Sequence, residues 1–321
     1  MKKIIFLLLF AGLAACKNDK TEEKASTTTQ PDRPAVEVPQ FNADSAYAAV
    51  VKQVSFGPRT PGSKAHAQTA SWLQQAFAAY ADTVLVQSAQ VKAHDGKSFT
   101  LKNIIASFNP AAKKRIVLAA HWDTRPRADM DDERTNEPIE GANDGASGVG
   151  VLLEVARQLA TTPVNIGIDL VLFDLEDYGI GEVQDSYCLG SQYWSKNPHV
   201  PGYKAQYGIL LDMVGAKNAV FYQEGFSTYY APQVVRKVWD AAYATGMGAW
   251  FSNQASTPIT DDHYYVNKLA GIPMIDIIQH DPQTSTGFGS YWHTHDDTLD
   301  IIDRATLRAV GQTVLQVLYN E

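Results

Sequence analysis

Acidic side chains and one histidine lie just after three apolar segments of this chain. His121 and Asp123 come after residues 116–120, Glu176 and Asp177 after residues 168–173, and Asp212 after residues 208–211. Ligands of an α/β protein bind beyond the carboxyl ends of its strands, so we expect these side chains to meet at one edge of a sheet. Several carboxylates at one place repel each other unless a cation or shared protons compensate for their charge. The pattern therefore indicates a site for cation-assisted or acid–base chemistry.

The glycine-rich segment 141–148, GANDGASG, adds another carboxylate, Asp144. Glycines before an apolar helical run are typical of a phosphate-binding loop, but a carboxylate among its backbone N–H groups would repel phosphate. Taken alone, Asp144 could be a helix N-cap, and Glu176 with Asp177 could simply favour the start of a helix. Together with the other acids, Asp144 is interpreted as a metal ligand, and its glycines as residues that let the loop backbone approach the ion.

The segment 291–297, YWHTHDD, contains the imidazole that such a site would need. Two carboxylates, one imidazole and an open fourth position are typical of catalytic zinc. The segment has two histidines, His293 and His295, of which at most one needs to be a ligand. The residues alone leave that choice open.

Strands and helices are predicted to alternate along the body of the chain. Residues 116–120, 168–173, 208–211 and 273–278 are short and apolar throughout, which is typical of strands buried on both faces. Apolar residues at helical spacing predict helices within residues 66–80, 149–159 and 303–319. We therefore predict a single α/β domain over residues 41–321, with a central mixed, largely parallel β-sheet flanked by helices on both faces.

Residues 1–15 are expected to be a lipoprotein signal peptide. They join two lysines to an apolar run that is too short for a stable transmembrane helix, and they end in Leu13-Ala14-Ala15 before Cys16, as in a bacterial lipobox. An ordinary secretory signal with a chance cysteine is the alternative. Residues 16–40 are polar and contain prolines, so we predict a lipidated Cys16 on a flexible tether. The protein is then expected to be lipid-anchored in a bacterial cell envelope, facing the periplasm or the cell surface.

Charge and cysteine content limit the partners. The net charge is −8, and loss of residues 1–15 would remove two lysines and no acid, so nucleic acid is not an expected partner. The chain has two cysteines, and lipidation of Cys16 would leave Cys188 without a disulfide partner. Cys188 is interpreted as a small buried residue. We expect a monomer.

The body of the chain resembles the zinc aminopeptidase-like (M28-type) family, and within it the glutaminyl-peptide cyclotransferases of animals and bacteria. The resemblance covers nearly everything after the tether, and the order and spacing of its motifs are specific. The motifs are Arg59-Thr60-Pro61-Gly62-Ser63, Asn103-Ile104-Ile105, His121-Trp122-Asp123, Asp144, Glu176-Asp177, Gln184-Asp185-Ser186, Gly190-Ser191, Leu211-Asp212-Met213-Val214-Gly215-Ala216, Asp261-Asp262-His263 and Trp292-His293-Thr294.

This resemblance implies roles for individual residues. The implied ligands of a single zinc ion are Asp144, Asp177 and His293. The implied catalytic residues are Glu176, as general acid/base, with Asp212 and Asp261 in a carboxylate network beside it. Asp261 would also bind the substrate, and Trp292 would form part of the pocket wall. By the same match, His295 is not a ligand.

The activity implied by the resemblance is the conversion of N-terminal Gln of peptides or proteins into pyroglutamate. The α-amine attacks its own side-chain carbonyl and ammonia leaves, so the enzyme chiefly has to fold the substrate and stabilise the developing charge. Zinc would polarise the amide, and Glu176 would carry the proton from the amine to the leaving ammonia. Asp212 and Asp261 would orient the amine and adjust the pKa of Glu176 by sharing protons with it.

Two other functions are alternatives. M28-type aminopeptidases with two metals use residues such as His121 and Asp212 for the second ion, and both are present here. The doublet Asp261-Asp262 before His263 is nearer to the cyclotransferases. A zinc-free peptide-binding lipoprotein would lack the acid/base or a ligand, and none is missing.

The chain departs from the animal cyclotransferases at three places. It has Asp177 where they carry Glu, Thr260 where Gln is expected, and no Trp shortly after the acid pair. The second aromatic wall of the substrate pocket is therefore not identified from the sequence.

Overall fold

A six-stranded sheet forms the centre of the structure, a computed structural model that describes residues 37–321. The strands are β1 Thr83–Lys92, β2 Ser98–Phe108, β3 Arg115–His121, β4 Gly167–Phe173, β5 Tyr207–Asp212, β6 Phe221–Gln223, β7 Phe251–Ala255 and β8 Met274–Ile278. The helices are α1 Ala43–Val54, α2 Lys64–Ala78, α3 Ala146–Thr161, α4 Leu189–Lys196, α5 Gly225–Tyr230, α6 Pro232–Ala244, α7 Asp262–Tyr265 and α8 Arg304–Tyr319. A π-helical turn, Val266–Ala270, continues α7, and a 3₁₀ turn, Leu299–Ile301, precedes α8.

The strand order in the main sheet is β1-β2-β4-β3-β5-β8. Strands β4, β3, β5 and β8 are parallel neighbours, whereas β1 and β2 add an antiparallel hairpin at one edge. Strands β6 and β7 form a separate small sheet. The predicted mixed, largely parallel sheet is confirmed.

Helices cover both faces of the sheet. Along β3, Ile116 and Leu118 belong to the larger core cluster, which includes residues of α1, α2, α3, α6 and α8. The intervening Val117 and Ala119 belong to a second cluster with Trp194 of α4. Because successive side chains of a strand point to opposite faces, strands covered on both sides have to be apolar throughout. The four segments that the sequence predicted as strands are the four parallel strands.

The start of α3 lies against the ends of β3 and β5. Gly145, with φ of +90°, precedes the helix, and a Cβ on it would lie 2.5 Å from the carbonyl oxygen of Asp123. A Cβ on Gly148 would lie 2.2 Å from the carbonyl oxygen of Leu211. These glycines therefore allow α3 to pack against two strand ends, and this close approach brings Asp144 to the same place as the acids of the sheet.

The sequence missed the hairpin of β1 and β2. Strand β1, TVLVQSAQVK, lies at the sheet edge and alternates between half-buried and exposed residues, so it has no continuous apolar run. Helices α1, α4, α5, α6 and α7 and strands β6 and β7 were also missed, and of these helices α4, α5 and α7 are short. Within residues 37–321, no helix is both long and apolar enough to cross a membrane. The predictions for residues 1–15, for Cys16 and for most of residues 16–40 lie outside the described residues.

Candidate active site

A pocket of about 230 Å³ opens at the carboxyl ends of the parallel strands. The predicted site residues that line it are Asp144, Glu176, Asp177, Asp212, Asp261, Trp292 and His293. A larger groove of about 810 Å³ lies elsewhere, between the start of α1 and α8, but it holds none of the His/Cys/Asp/Glu clusters found among the described residues. The smaller pocket is therefore the candidate active site.

The acid pair lies in a sharp turn after β4. Leu175 adopts a left-handed conformation, with φ of 56°, and turns the chain so that Glu176 and Asp177 follow the strand end. The buried carboxylate of Asp123 accepts hydrogen bonds from the backbone N–H groups of Glu176, at 3.0 Å, and Asp177, at 3.2 Å. Asp123 thus positions the turn that carries the acid pair.

The Asp144 loop is held by a residue that the sequence did not single out, Asp297. Its carboxylate accepts hydrogen bonds from the backbone N–H groups of Asn143, at 2.7 Å, and Asp144, at 2.9 Å. Burial and the charge of Asp144 raise the pKa of Asp297 to about 7. Because Gly145 precedes α3 and no side chain caps it, the N-cap interpretation of Asp144 does not hold.

Asp144, Asp177 and His293 converge as the resemblance implies. Nε2 of His293 lies 3.2 Å from Oδ1 of Asp177 and 3.7 Å from Oδ2 of Asp144. One ligand atom from each of the three lies within 4.8 Å of the other two, and all three residues are buried. The other carboxylate oxygen of Asp177, Oδ2, is buried without a hydrogen bond. Burial and the charge of Asp177 raise the pKa of Asp144. A bound cation would offset this repulsion between the carboxylates and favour their charged form. This donor set fits zinc.

Two residues in the loop after β3 support these ligands. Nδ1 of His293 faces Oδ1 of Asp129 at 3.5 Å. Arg125 donates from Nε to Asp129, at 2.6 Å, and from a terminal nitrogen to Oδ1 of Asp177, at 3.1 Å. Carboxylates behind ligating histidines commonly fix the orientation of the ring. The sequence offered no signal for Arg125 and Asp129, because they lie in an irregular loop with several other charges.

His121 and Asp212, the candidates for a second metal in the sequence analysis, form a cluster with Asp144. Nε2 of the buried His121 lies 3.0 Å from Oδ1 of Asp144 and 3.1 Å from Oδ1 of Asp212. Burial disfavours the charged imidazole, but Asp212, Asp123 and Asp144 outweigh it and raise the pKa of His121 well above its usual value. The cluster therefore balances its charge through the histidine, although its atoms could also hold a metal.

His295 points away from this site. Its Nδ1 lies 2.7 Å from a carboxylate oxygen of Asp131, and it belongs to none of the metal-ligating groups among the described residues. This placement agrees with the expectation that His295 is not a ligand.

Glu176 lies half-buried beside the zinc-ligand set. Burial and the carboxylates of Asp177 and Asp261 raise its pKa well above the usual value, against the opposing effect of His121. Burial and Asp212 raise the pKa of Asp261 to about 6. Glu176 and Asp261, with Cys188, place one polar atom each within 4.8 Å of the others. A carboxyl whose pKa is raised above its usual value holds a proton more readily and can both take up and release one.

The pocket has more aromatic wall than the sequence revealed. Trp292 stacks on His293 with 3.7 Å between ring centroids, and Phe288 packs against Trp292 at 4.7 Å. Tyr187 also lines the pocket. Phe288 and Tyr187 therefore supply aromatic surface to the pocket, although this chain has no Trp shortly after the acid pair.

The segment that carries Asp261 is fixed by a buried carboxylate, Glu224. Its oxygens accept from the backbone N–H of Ile259, at 2.8 Å, and lie 2.9 Å from Nε2 of His263. Burial favours the neutral acid, but His263 and Ser227 outweigh it and lower the pKa of Glu224 to about 2. The segment that carries Asp261 is therefore held by the hydrogen bonds of Glu224 with Ser227, Ile259 and His263, which we call the frame around Glu224.

Known proteins share this fold and are similar to this chain in sequence. The model of peptidase family M28 matches residues 103–318. A glutaminyl cyclase of Bacteroides thetaiotaomicron, solved with bound N-acetylhistamine, is 51% identical, with a TM-score of 0.87, and the match covers 89% of this chain and 100% of that one. A Zn-dependent exopeptidase of Parabacteroides distasonis matches with the same identity, TM-score and coverage.

A curated relative gives the same result at greater distance. The glutaminyl-peptide cyclotransferase of Gloydius blomhoffii is 26% identical over an alignment of 271 residues, and the match covers 74% of this chain and 70% of that protein. The resemblance that the motifs indicated is confirmed, and the M28 match covers more than half of the sequence. The chain belongs to peptidase family M28.

Proposed function

We propose that this protein is a zinc-dependent glutaminyl-peptide cyclotransferase that acts on peptides or proteins with an N-terminal Gln. The observation that carries the proposal is the position of Glu176, whose pKa is raised, in a small aromatic-walled pocket beside Asp144, Asp177 and His293. The similarity to the Bacteroides thetaiotaomicron glutaminyl cyclase over 89% of the chain supports it.

The reaction forms one bond and breaks one. The α-amine nitrogen of the substrate attacks the side-chain carbonyl carbon, and the bond from that carbon to the amide nitrogen breaks, so that ammonia leaves. Glu176 takes a proton from the amine and returns it to the departing nitrogen. Asp261 and Asp212, on the pocket wall, bind and orient the amine. Asp144, Asp177 and His293 would hold a zinc ion, which would supply Lewis acidity for the carbonyl oxygen when bound.

We propose one zinc per chain. The three-residue set leaves an open position, which is sufficient for polarising a carbonyl. His121 already compensates the charge of Asp144 and Asp212 through its contacts of 3.0 and 3.1 Å. Elemental analysis of purified protein tests the count, and two tightly bound zinc ions would favour the peptidase.

An M28-type aminopeptidase with two metals is the second candidate. The cluster of His121, Asp144 and Asp212 favours it, since its ligand atoms also lie within 4.8 Å of one another. The Parabacteroides distasonis exopeptidase, with the same identity to this chain, is consistent with it.

We also propose that Cys16 carries a lipid that anchors a monomeric enzyme in a bacterial cell envelope. The lipobox-like Leu13-Ala14-Ala15 before Cys16 and the polar residues 17–40 support this. The tether would let the catalytic body reach peptide N-termini near the membrane.

Matched peptides that differ only in the first residue separate the two enzymes. We expect a Gln peptide to release ammonia and a Leu or Ala reporter to stay intact. Rapid cleavage of the Leu reporter without pyroglutamate would refute the proposed function in favour of the aminopeptidase.

A further inference from the structure

Cys188 lies directly behind Glu176. The Sγ–H group donates to Oε1 of Glu176 at 3.1 Å, and the backbone N–H of Cys188 donates to the carbonyl oxygen of Glu176 at 2.8 Å. The thiol is buried and forms no disulfide. Its interpretation as a merely small core residue is therefore incomplete, because its polar atom contacts the acid/base.

Backbone hydrogen bonds join the segment Leu175–Glu176 to the segment Cys188–Leu189. Leu189 N–H donates to the carbonyl oxygen of Leu175 at 2.9 Å, next to the bond between Cys188 and Glu176. Leu175 and Cys188 both adopt left-handed conformations, with φ of 56° and 58°. Such conformations are unfavourable for residues with a side chain and persist where the surroundings impose them. The backbone of the acid/base is thus held rigidly against the residue that donates to its side chain.

The thiol is a donor in this setting. Burial and the negative charge of Glu176 raise the pKa of Cys188 well above its usual value, so that the proton stays on sulfur. A proton on sulfur can occupy one carboxylate oxygen of Glu176 and leave the other to exchange protons with a substrate.

We propose that Cys188 is a positioning residue for Glu176, with its thiol fixing Oε1 so that the second oxygen faces the reacting amine. The inference deepens the proposed cyclotransferase function and rests on it. It assigns a kinetic role to a side chain whose hydrogen bond is to Glu176 and not to Asp144, Asp177 or His293.

Substitution of the thiol separates positioning from packing. In Cys188→Ala we expect kcat to fall about ten-fold, as for loss of a hydrogen bond to a charged group, with KM and zinc content kept. In Cys188→Ser, which keeps a donor, we expect kcat within about three-fold of the original, since the hydroxyl replaces the thiol hydrogen bond.

Ser195→Ala is the matched control. Ser195 lies near the end of α4, the helix that Cys188 precedes, and its hydroxyl is buried without a hydrogen-bond partner, so its removal creates a similar small void away from Glu176. Equal kcat in Cys188→Ala and Ser195→Ala, or equal loss in Cys188→Ser and Cys188→Ala, would overturn the proposal.

A spectroscopic measurement tests the contact without turnover. In a Cys16→Ser background Cys188 is the sole thiol of the chain, so the infrared S–H stretching band reports on it alone. We expect this band to move to higher frequency in Glu176→Ala, as the acceptor is lost. An unchanged band refutes the proposal. If the band moves in Glu176→Ala but the protein with Glu176 intact does not cyclise Gln peptides, the contact is kept and the proposed function is refuted.

Discussion

Glu176 is the residue on which the proposed chemistry depends. Gln at this position keeps the shape of the side chain but cannot accept a proton at neutral pH. We therefore expect Glu176→Gln to fold, to keep zinc on Asp144, Asp177 and His293, and to bind substrate. Cyclisation should fall by about 10²–10⁴-fold, the usual cost of losing general acid/base catalysis. Single-turnover kinetics with parallel zinc analysis measure this.

Two results would contradict the role given to Glu176. Loss of zinc from the variant would make Glu176 a ligand and reverse the assignment of the acid pair. Nearly unchanged activity would mean that another group carries the proton. Asp212 and Asp261 are the next candidates, because both line the same pocket.

Asp129 should contribute to zinc affinity through His293. Removing the carboxylate in Asp129→Asn weakens the orientation of the imidazole, whose Nδ1 lies 3.5 Å away, so we expect zinc affinity to fall about 10–100-fold. Asp131→Asn is the control, because Asp131 contacts His295 instead. Competition with a chromogenic chelator gives both affinities, and equal affinities in the two variants would show that Asp129 has no such role.

At the residue scale, the sequence predicted which residues of the proposed chemistry converge better than it predicted the residues that hold them in place. Glu176, Asp177 and Asp212 follow buried strands, so topology alone brings them together. Asp129 and Asp297 act from loops distant in sequence, and their types do not distinguish them from solvated surface acids. Only the folded chain places them next to the ligands.

Among the elements, the frame around Glu224 should control acid stability. The folded-state pKa of Glu224 is lowered from 4.5 to about 2. Its stabilising contribution is therefore present above the unfolded pKa and is lost as the pH falls from about 4.5 toward 2. At about 1.4 kcal/mol for each pKa unit, the contribution is on the order of 3 kcal/mol.

We accordingly expect Glu224→Gln to unfold more readily above pH ~5, with a difference from the original protein that shrinks toward pH ~2. Glu133→Gln, an exposed site with the same change of charge, is the control. Denaturant titrations across this pH range measure the difference. A difference that stays constant with pH would mean that packing, and not the charge of Glu224, stabilises the frame.

The predictable elements are those buried on both sides or along one whole helical face. Strands β3, β4, β5 and β8 and helices α2, α3 and α8 each show a continuous apolar signal. Strand β1 has none because its side chains alternate between half-buried and exposed. The order β1-β2-β4-β3-β5-β8 depends on pairings between distant segments, which local patterns do not encode.

For the whole molecule, attachment to a membrane should depend on Cys16. Cys16→Ser removes the acceptor for lipid, and the polar tether offers no other membrane-binding feature. We expect the variant to be uncleaved or soluble, whereas the original protein should partition into the detergent phase. Unchanged partitioning of the variant would contradict the lipobox interpretation.

The central claim is that the α-amine of an N-terminal Gln displaces its own side-chain nitrogen. A peptide that carries the heavy isotope of nitrogen in the side-chain amide of its first residue tests it in one reaction followed by mass spectrometry. We predict a full-length peptide that has lost one ammonia and all of the label, with the label recovered in free ammonia. A shortened peptide together with labelled free Gln would contradict the account and identify an aminopeptidase.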